Sequence, residues 1–347
     1  MGDSGVVPRK VEKWAYGGDS IAGSGYRGKK SQKNTDIGTR VSEFTNGNIQ
    51  FDNYGRSSDS TGGMLGQYAV KGKRRDMVGK MLEGDYDGVV IEVGVNDLSA
   101  GAGGKEERWE EKRKKMRKNL VTMYVRAFLK GAGGGNQEEV LGKIDSEIKK
   151  IRAEEAQIAE KLGSKKVRNQ EGFRLRMERK ARMQRESREI LEDAKSAYRK
   201  HVRKGRLPKK PIKRVIFVEV APWKGYANWS EKKGLRTFEY NRMLRDVKIE
   251  MNALFGEQLK GPEMEVAKVH DSLASAEDGM RLHREYLGSK KGGKDYLHFG
   301  AEGRRAAAAA IALEHFPNHV TEPQKVEAIA LGNRPKEQKK PGKLARR

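Results

Sequence analysis

Two short apolar runs constrain the fold of this chain more than any other feature of its sequence. Residues 87–94 and 214–222 are rich in Val and Ile and are bounded by turn-forming residues. A continuous apolar run of this length is typical of a strand that is buried on both faces of a parallel sheet. These two runs are therefore predicted to be buried strands of one sheet.

Further strands alternate with helical segments around those two runs. Strands are predicted at residues 11–16, 48–54 and 264–269, and helices at about 62–68, 105–130, 235–255 and 302–315. This alternation indicates an α/β domain with a mostly parallel sheet. Ligands bind to such domains outside the carboxyl ends of the strands. Because Ser20, Gly55 and Asn96 each follow a predicted strand, we expect them to lie close together at that edge.

The middle of the chain, residues 131–210, departs from this alternation. It is rich in Lys, Arg, Glu, Ala and Gln, and its basic residues outnumber its acidic ones. A thin apolar stripe at helical spacing is formed by Ile144, Ile148, Ile151 and Ile158. We interpret the segment as a basic helical hairpin, of coiled-coil type, inserted between the two parts of the main domain, residues 1–130 and 211–317. Disorder is the alternative, because so thin a stripe buries little apolar area by itself.

Charge and composition limit the classes of partner and compartment. The net charge is +25, from 73 basic and 48 acidic side chains, and it favours an anionic partner. The insertion and the basic tail, residues 318–347, could contact a protein complex or a nucleic acid, although no nucleic-acid-binding motif accompanies the charge. The tail is predicted to be disordered.

Other features of the composition concern location and redox chemistry. The chain has no cysteine, which excludes disulfide and thiolate chemistry. No apolar run approaches the ~20 residues that span a bilayer, and the first residues lack the apolar segment of a secretory signal. We therefore expect a protein without a membrane span that is made in the cytoplasm, alone or within a larger assembly.

Four short motifs contain the residue types of an acyl-transfer site. They lie at residues 18–20 (GDS), 53–61 (NYGRSSDST), 94–97 (GVND) and 294–303 (KDYLHFGAEG). Such a site needs a nucleophile, a base, a group that orients the base, and donors for the oxyanion. Ser20, where a strand turns into a helix N-terminus, is the candidate nucleophile. His298 is the candidate base, and Asp295 on the same loop could orient it. Asn96 and the backbone at Ser20 and residues 55–58 could supply the oxyanion donors.

These motifs, in this order, resemble the four blocks of the SGNH, or GDSL-like, hydrolase family. The resemblance implies that Ser20, His298 and Asp295 form a catalytic triad, and that Asn96 completes the catalytic set. It also implies a flavodoxin-like three-layer α/β/α sandwich around a five-stranded parallel sheet. The substrates of the family are small esters, including acylated sugars, and neither a metal ion nor an organic cofactor is implied.

Two positions depart from the pattern of the family. The second block usually contains a glycine whose N–H serves the oxyanion hole. When the blocks are aligned, Gly55 fits an earlier glycine and Ser58 stands at the oxyanion position. Any residue except proline can provide a backbone donor, so Ser58 keeps this function if it adopts the required φ and ψ. Phe299 stands where a proline commonly follows the histidine, and neither change removes a catalytic side chain.

Two other functions remain open at this point. Residues 23–29 have the Gly-x₄-Gly-Lys spacing of a phosphate-binding loop, but Lys30 stands where Mg²⁺ coordination requires Ser or Thr. A catalytically weak or inactive scaffold could instead bind an anionic partner through its basic insertion and tail. Within the esterase hypothesis we expect a short-acyl ester, for example an O-acetyl group on a carbohydrate. The basic residues near Ser20 favour an anionic substrate such as an acidic glycan.

Overall fold

A five-stranded parallel sheet forms the centre of the molecule. The fold is that of a computed structural model that describes residues 11–19, 21–22, 36–70, 72–101, 106–131, 137–164, 171–203, 210–223, 230–256, 259–274, 279–282, 284–290 and 293–332. The strands are β1 (Glu12–Gly18), β2 (Ile49–Asn53), β3 (Gly88–Glu92), β4 (Arg214–Val218) and β5 (Glu263–Ala267). Their spatial order is β2-β1-β3-β4-β5, and all four pairings are parallel. This is the flavodoxin-like order, so the five predicted strands and the predicted fold class are confirmed.

Helices cover both faces of this sheet. In chain order they are α1 (Ile37–Phe44), α2 (Thr61–Met64), α3 (Met77–Glu83), α4 (Val95–Gly101), α5 (Glu106–Gly131), α6 (Gln137–Gly163), α7 (Glu171–Arg203), α8 (Glu231–Phe255), α9 (Val269–Leu273), α10 (Ala301–His315) and α11 (Glu322–Gly332). Helices α1 and α10 pack together, while α5 packs on α3 and α8. None of the described helices is long and apolar enough to cross a membrane.

The alternation of side chains along β1 shows why both faces are buried. Trp14 points to one face, where its ring meets Phe316 edge-on at a centroid distance of 4.9 Å. Gly17 points to the other face, where a Cβ would lie 2.2 Å from the sulfur of Met81 in α3. Successive residues of a strand face opposite sides of the sheet. The strand therefore contacts a helical layer on each side, and a side chain at position 17 would require the end of Met81 to move.

Helices α6 and α7, which come after α5 and before β4 in the sequence, form an antiparallel pair. The four isoleucines of the predicted stripe are all buried. Ion pairs join the two helices, as in Arg152–Glu192 at 2.9 Å and Arg188–Glu155 at 3.0 Å. Residues 137–163 and 171–203 of the segment 131–210 are therefore helical, as the helical interpretation predicted.

Three local expectations need correction. The loop predicted around residues 294–298 is a strand, since β6 (Leu287–Lys290) and β7 (Gly293–Phe299) form an antiparallel hairpin. The helix predicted at 62–68 ends at Met64, because Gly66 has a φ of 66°, a conformation that terminates helices. The predicted disorder of the tail is wrong for residues 322–332, which form α11 with Ala328 and Leu331 buried. Residues 333–347 lie outside the described residues.

Candidate active site

The segments that follow β1, β2 and β3 meet at one edge of the sheet. The Arg56 N–H, after β2, donates to the Gly18 carbonyl at 2.9 Å, and the Asp19 N–H donates to the Glu92 carbonyl at 3.2 Å. The expected clustering is therefore observed for the segments around Gly18, Gly55 and Asn96. Ser20 itself lies outside the described residues, as do residues 23–35 with the possible phosphate-binding loop.

Hydrogen bonds hold Asp19, Ile21 and Ala22 at the end of β1. The buried Asp19 carboxylate accepts a hydrogen bond from the Ile21 N–H at 2.8 Å. The Asn53 side chain donates to the Ala22 carbonyl at 3.0 Å. Asn53 thus ties Ala22 to the end of β2.

Ser58 adopts the backbone conformation that matters most for its predicted function. Its φ is 71°, in the left-handed region that glycine enters at little cost and other residues rarely occupy. A bidentate pair holds the same loop, because Arg56 donates to both carboxylate oxygens of Asp59 at 2.8 and 2.6 Å. The serine that replaces the glycine of the family pattern is therefore held in a glycine-like conformation.

Asn96 lies directly beside the Ser58 loop. Located in the first turn of α4 and half-buried, it donates from Nδ2 to the Asp59 carbonyl at 2.7 Å. An amide nitrogen carries two hydrogens, so one remains for another acceptor. Asp97 strengthens the same junction, because its carboxylate accepts from the Thr61 N–H at 2.8 Å and from the Thr61 hydroxyl at 3.1 Å. Two of the predicted oxyanion donors, Ser58 and Asn96, are thereby brought together.

Gly55, another predicted donor, has its amide engaged elsewhere. The Gly55 N–H donates to the Asn53 side-chain oxygen at 2.7 Å. This bond closes a local turn at the end of β2. Of the two backbone donors predicted in this loop, Ser58 is therefore the better placed.

Carboxyl groups buried at this edge have raised pKa values. Burial raises the pKa of Asp19 well above its usual range, and the neighbouring Glu92 charge raises it further. Burial also raises the pKa of Glu92 to about 7, although the Tyr16 hydroxyl donates to it at 2.8 Å. The pKa of Asp97 is raised by burial as well.

Glu92 was not among the residues singled out from the sequence. The available signal was an acidic residue within the apolar run 87–94. A strand covered on both faces cannot solvate a carboxylate, so such a residue must be paired or protonated.

The predicted base and its orienting group lie on β7. His298 is half-buried, whereas the side chain of Asp295 lies outside the described residues. Residues three apart on a regular strand point to opposite faces, which would separate the two side chains. However, Asp295 pairs with Gly288 while Phe299 pairs with Leu287, so the strand is irregular between them. The catalytic triad stays a prediction.

His315 lies away from the segments around Gly18, Gly55 and Asn96. It bonds to Glu265, and Glu265 also binds Arg214, the first residue of β4. This group therefore lies at the amino-terminal edge of the parallel sheet, opposite the edge at which those segments meet.

A cavity of about 180 Å³ opens beside Asn96. Its polar lining residues are Ser60, Asn96, Asp97, Lys112, Lys115 and Asn119, and Gly62, Tyr68 and Met116 complete the wall. The two lysines come from α5, one helical turn apart. No sequence pattern connects these lysines with Asn96, because the packing of α5 alone brings them to this edge.

Comparisons with known proteins give distant structural likenesses. No protein-family model matches the sequence, and no curated protein matches it. The chain is similar to a solved aryl esterase from M. smegmatis, with 13% identity, a TM-score of 0.44, and coverage of 88% of this chain and 99% of that one. It is also similar to a carbohydrate acetylesterase from Sinorhizobium meliloti, with 12% identity, a TM-score of 0.42, and coverage of 88% and 99%. At such low identities and TM-scores these likenesses carry no argument about family or activity.

Proposed function

We propose that the protein is a serine esterase of the SGNH type that hydrolyses a short-acyl ester. The observation that carries this proposal is the pairing of Ser58 and Asn96 at the carboxyl ends of the strands. Ser58 has the backbone conformation of the glycine that it replaces, and Asn96 has a second amide hydrogen to donate. The loop of Ser58 also contacts the end of β1, because the Arg56 N–H donates to the Gly18 carbonyl at 2.9 Å.

In the proposed reaction Ser20 attacks the carbonyl carbon of the ester. The hydroxyl proton passes to His298, which Asp295 orients, and a tetrahedral intermediate forms. Its oxyanion accepts hydrogen bonds from the Ser20 N–H, the Ser58 N–H and the Asn96 side chain. His298 then protonates the leaving alcohol, and water releases the acyl group from Ser20 by the same steps.

The buried acids around the site support this chemistry. An oxyanion is destabilised by neighbouring negative charge in a region of low dielectric. Burial raises the pKa values of Asp19 and Asp97, so it weakens the preference of these carboxyl groups for the charged form.

The proposed substrate is a small polar ester, such as an O-acetyl group on a carbohydrate. The lining of the cavity beside Asn96 combines polar and charged side chains with Tyr68 and Met116. Its volume of about 180 Å³ leaves little room for a long acyl chain.

Ester hydrolysis by purified protein tests the proposal. We expect turnover of p-nitrophenyl acetate, covalent labelling by a fluorophosphonate, and loss of both in Ser20→Ala. Ser42→Ala, which changes a serine on α1 outside the four motifs, is the matched control and should retain both. If the wild-type protein neither turns over the ester nor becomes labelled, the inactive scaffold with an anionic partner becomes the better hypothesis.

A variant of Asn96 tests the observation on which the proposal rests. Loss of one oxyanion donor typically lowers kcat by about 10²–10³-fold, so Asn96→Ala should lower kcat by that order with a smaller change in KM. Since Asn96 also bonds the Asp59 carbonyl, thermal unfolding is measured in parallel. An unchanged kcat in a folded Asn96→Ala variant would contradict its role as a donor.

A further inference from the structure

We propose that the cavity beside Asn96 binds a carboxylate group carried by the ester substrate. This inference rests on the proposed esterase function, and it assigns the substrate class more narrowly. Asn96 contributes both to the oxyanion site and to the wall of the cavity. A group that occupies the cavity would therefore belong to the same molecule as the reacting carbonyl.

The charges around the cavity carry the argument. Lys112 and Lys115 both line it, and Asp97 is the one acidic residue among its described lining residues. Both oxygens of Asp97 already accept hydrogen bonds from Thr61. The cavity wall thus includes two lysines, of which Lys115 is exposed, and a single carboxylate that is already bonded to Thr61, so basic residues outnumber acidic ones in the lining.

The surroundings of Lys112 destabilise the charged form of its side chain. It is half-buried and has neither an ion pair nor a hydrogen bond among the described residues. Burial lowers its pKa, the Asp97 charge acts in the opposite direction, and the charge of Lys115 lowers the pKa further. An ammonium group removed from water without a direct partner is destabilised. A bound anion would supply the missing partner.

The remaining lining fixes the shape and size of the cavity. Asn119 donates to the Thr61 hydroxyl at 3.0 Å and accepts from Gln67 at 2.7 Å, so its amide forms a fixed wall. A volume of about 180 Å³ is smaller than the roughly 300–1,000 Å³ of pockets for drug-sized ligands. A short chain that ends in a carboxylate fits these dimensions.

Paired ester substrates test the inference and locate the carboxylate. Mono-p-nitrophenyl succinate is compared with p-nitrophenyl acetate for the acyl side, and 4-acetoxybenzoate with phenyl acetate for the alcohol side. In Lys112→Met we expect the ratio of kcat/KM for the anionic over the neutral ester to fall about 10- to 100-fold in one pair, the size of a lost charge-assisted hydrogen bond. Lys114→Met, on the same helix but outside the cavity, should keep the wild-type ratio. An unchanged ratio in Lys112→Met for both pairs would overturn the inference.

A binding measurement separates this inference from the proposed function. Succinate is titrated calorimetrically into the wild-type protein and into both lysine variants. Binding that is lost in Lys112→Met but kept in Lys114→Met supports the anion site even if no ester is hydrolysed, in which case only the esterase proposal fails. Hydrolysis of neutral esters without succinate binding and without preference for an anionic ester would leave the esterase and refute the anion site. No hydrolysis and no binding would refute both.

Discussion

Glu92 ends the central strand with a carboxyl group that is shielded from water. Burial raises its pKa from 4.5 to about 7. Between these two values the folded protein retains a proton that the unfolded chain has released. Stability therefore falls as the pH rises through this window, because the native state binds more protons than the unfolded state.

Glu92→Gln should remove this pH dependence. Gln cannot ionise, and its side-chain oxygen can still accept the hydrogen bond from Tyr16. We expect the wild type to lose about 3 kcal/mol of unfolding free energy relative to Glu92→Gln between about pH 4.5 and pH 7.5, measured by urea denaturation. Glu107→Gln, at an exposed position of α5, should follow the wild type. Parallel curves for the wild type and Glu92→Gln would contradict the raised pKa.

The backbone conformation of Ser58 leads to a second prediction about a single residue. A side chain in the left-handed region costs about 1–2 kcal/mol, so Ser58→Gly should stabilise the protein by about 1 kcal/mol while the donor N–H is kept. Ser57 is not among the residues with positive φ, and Ser57→Gly should destabilise by about 0.5–1 kcal/mol through the greater entropy of the unfolded chain. Thermal unfolding of the two variants checks the opposite signs, and shifts of the same sign would contradict the strain at Ser58.

At the scale of elements, the helical pair α6/α7 is joined to the main core at one end. Ile144, Ile148 and Ile151 belong to the same buried cluster as the sheet, together with Leu191 of α7. Ile158 is also buried but lies outside that cluster. The pair therefore has a base that shares the core of the molecule and a distal part that is supported by its own contacts.

Two matched isoleucine variants should distinguish the base from the distal part. Truncation of a buried isoleucine to alanine costs about 2–5 kcal/mol. Ile144→Ala should lower the global free energy of unfolding by this amount, whereas Ile158→Ala should mainly open the distal helices. Urea denaturation reports the global change, and hydrogen exchange of residues 152–185 reports the local one. Equal global losses in both variants would show that the pair is stabilised uniformly.

The start of helix α11 could have been recognised from a short motif in the sequence. Gln324 accepts hydrogen bonds from the Thr321 N–H at 2.9 Å and from its hydroxyl at 2.8 Å. Thr followed three residues later by Gln is a recognised start of a helix. The disorder of the tail was predicted from the composition of residues 318–347 as a whole, and this short motif has little weight in that composition. The β6–β7 hairpin had no comparable signal, because its pairing depends on the contact of Phe299 with the core.

For the whole molecule, the sequence predicted which strands exist better than it predicted what surrounds them. Apolar runs such as 87–94 can be recognised as strands because they depend on burial alone. Parallel strands bring their carboxyl ends to one edge, so the sequence also predicted that the Ser58 loop and Asn96 lie close together. The engagement of the Gly55 amide and the approach of Lys112 to Asp97 did not follow. Both depend on how a loop and α5 pack in three dimensions, which no local pattern records.

The position of the α6/α7 pair also bears on how the chain reaches this structure. Gly88 of β3 pairs with Arg214 of β4, although α4 to α7 lie between them in the sequence. Long-range pairing is slow because the entropy of closing the intervening loop is lost before its contacts form. An antiparallel helical pair built from local contacts returns the chain close to its starting point. If the helical pair forms early, it shortens the effective loop between β3 and β4. The two central strands of the sheet can then pair at a rate closer to that of neighbouring segments.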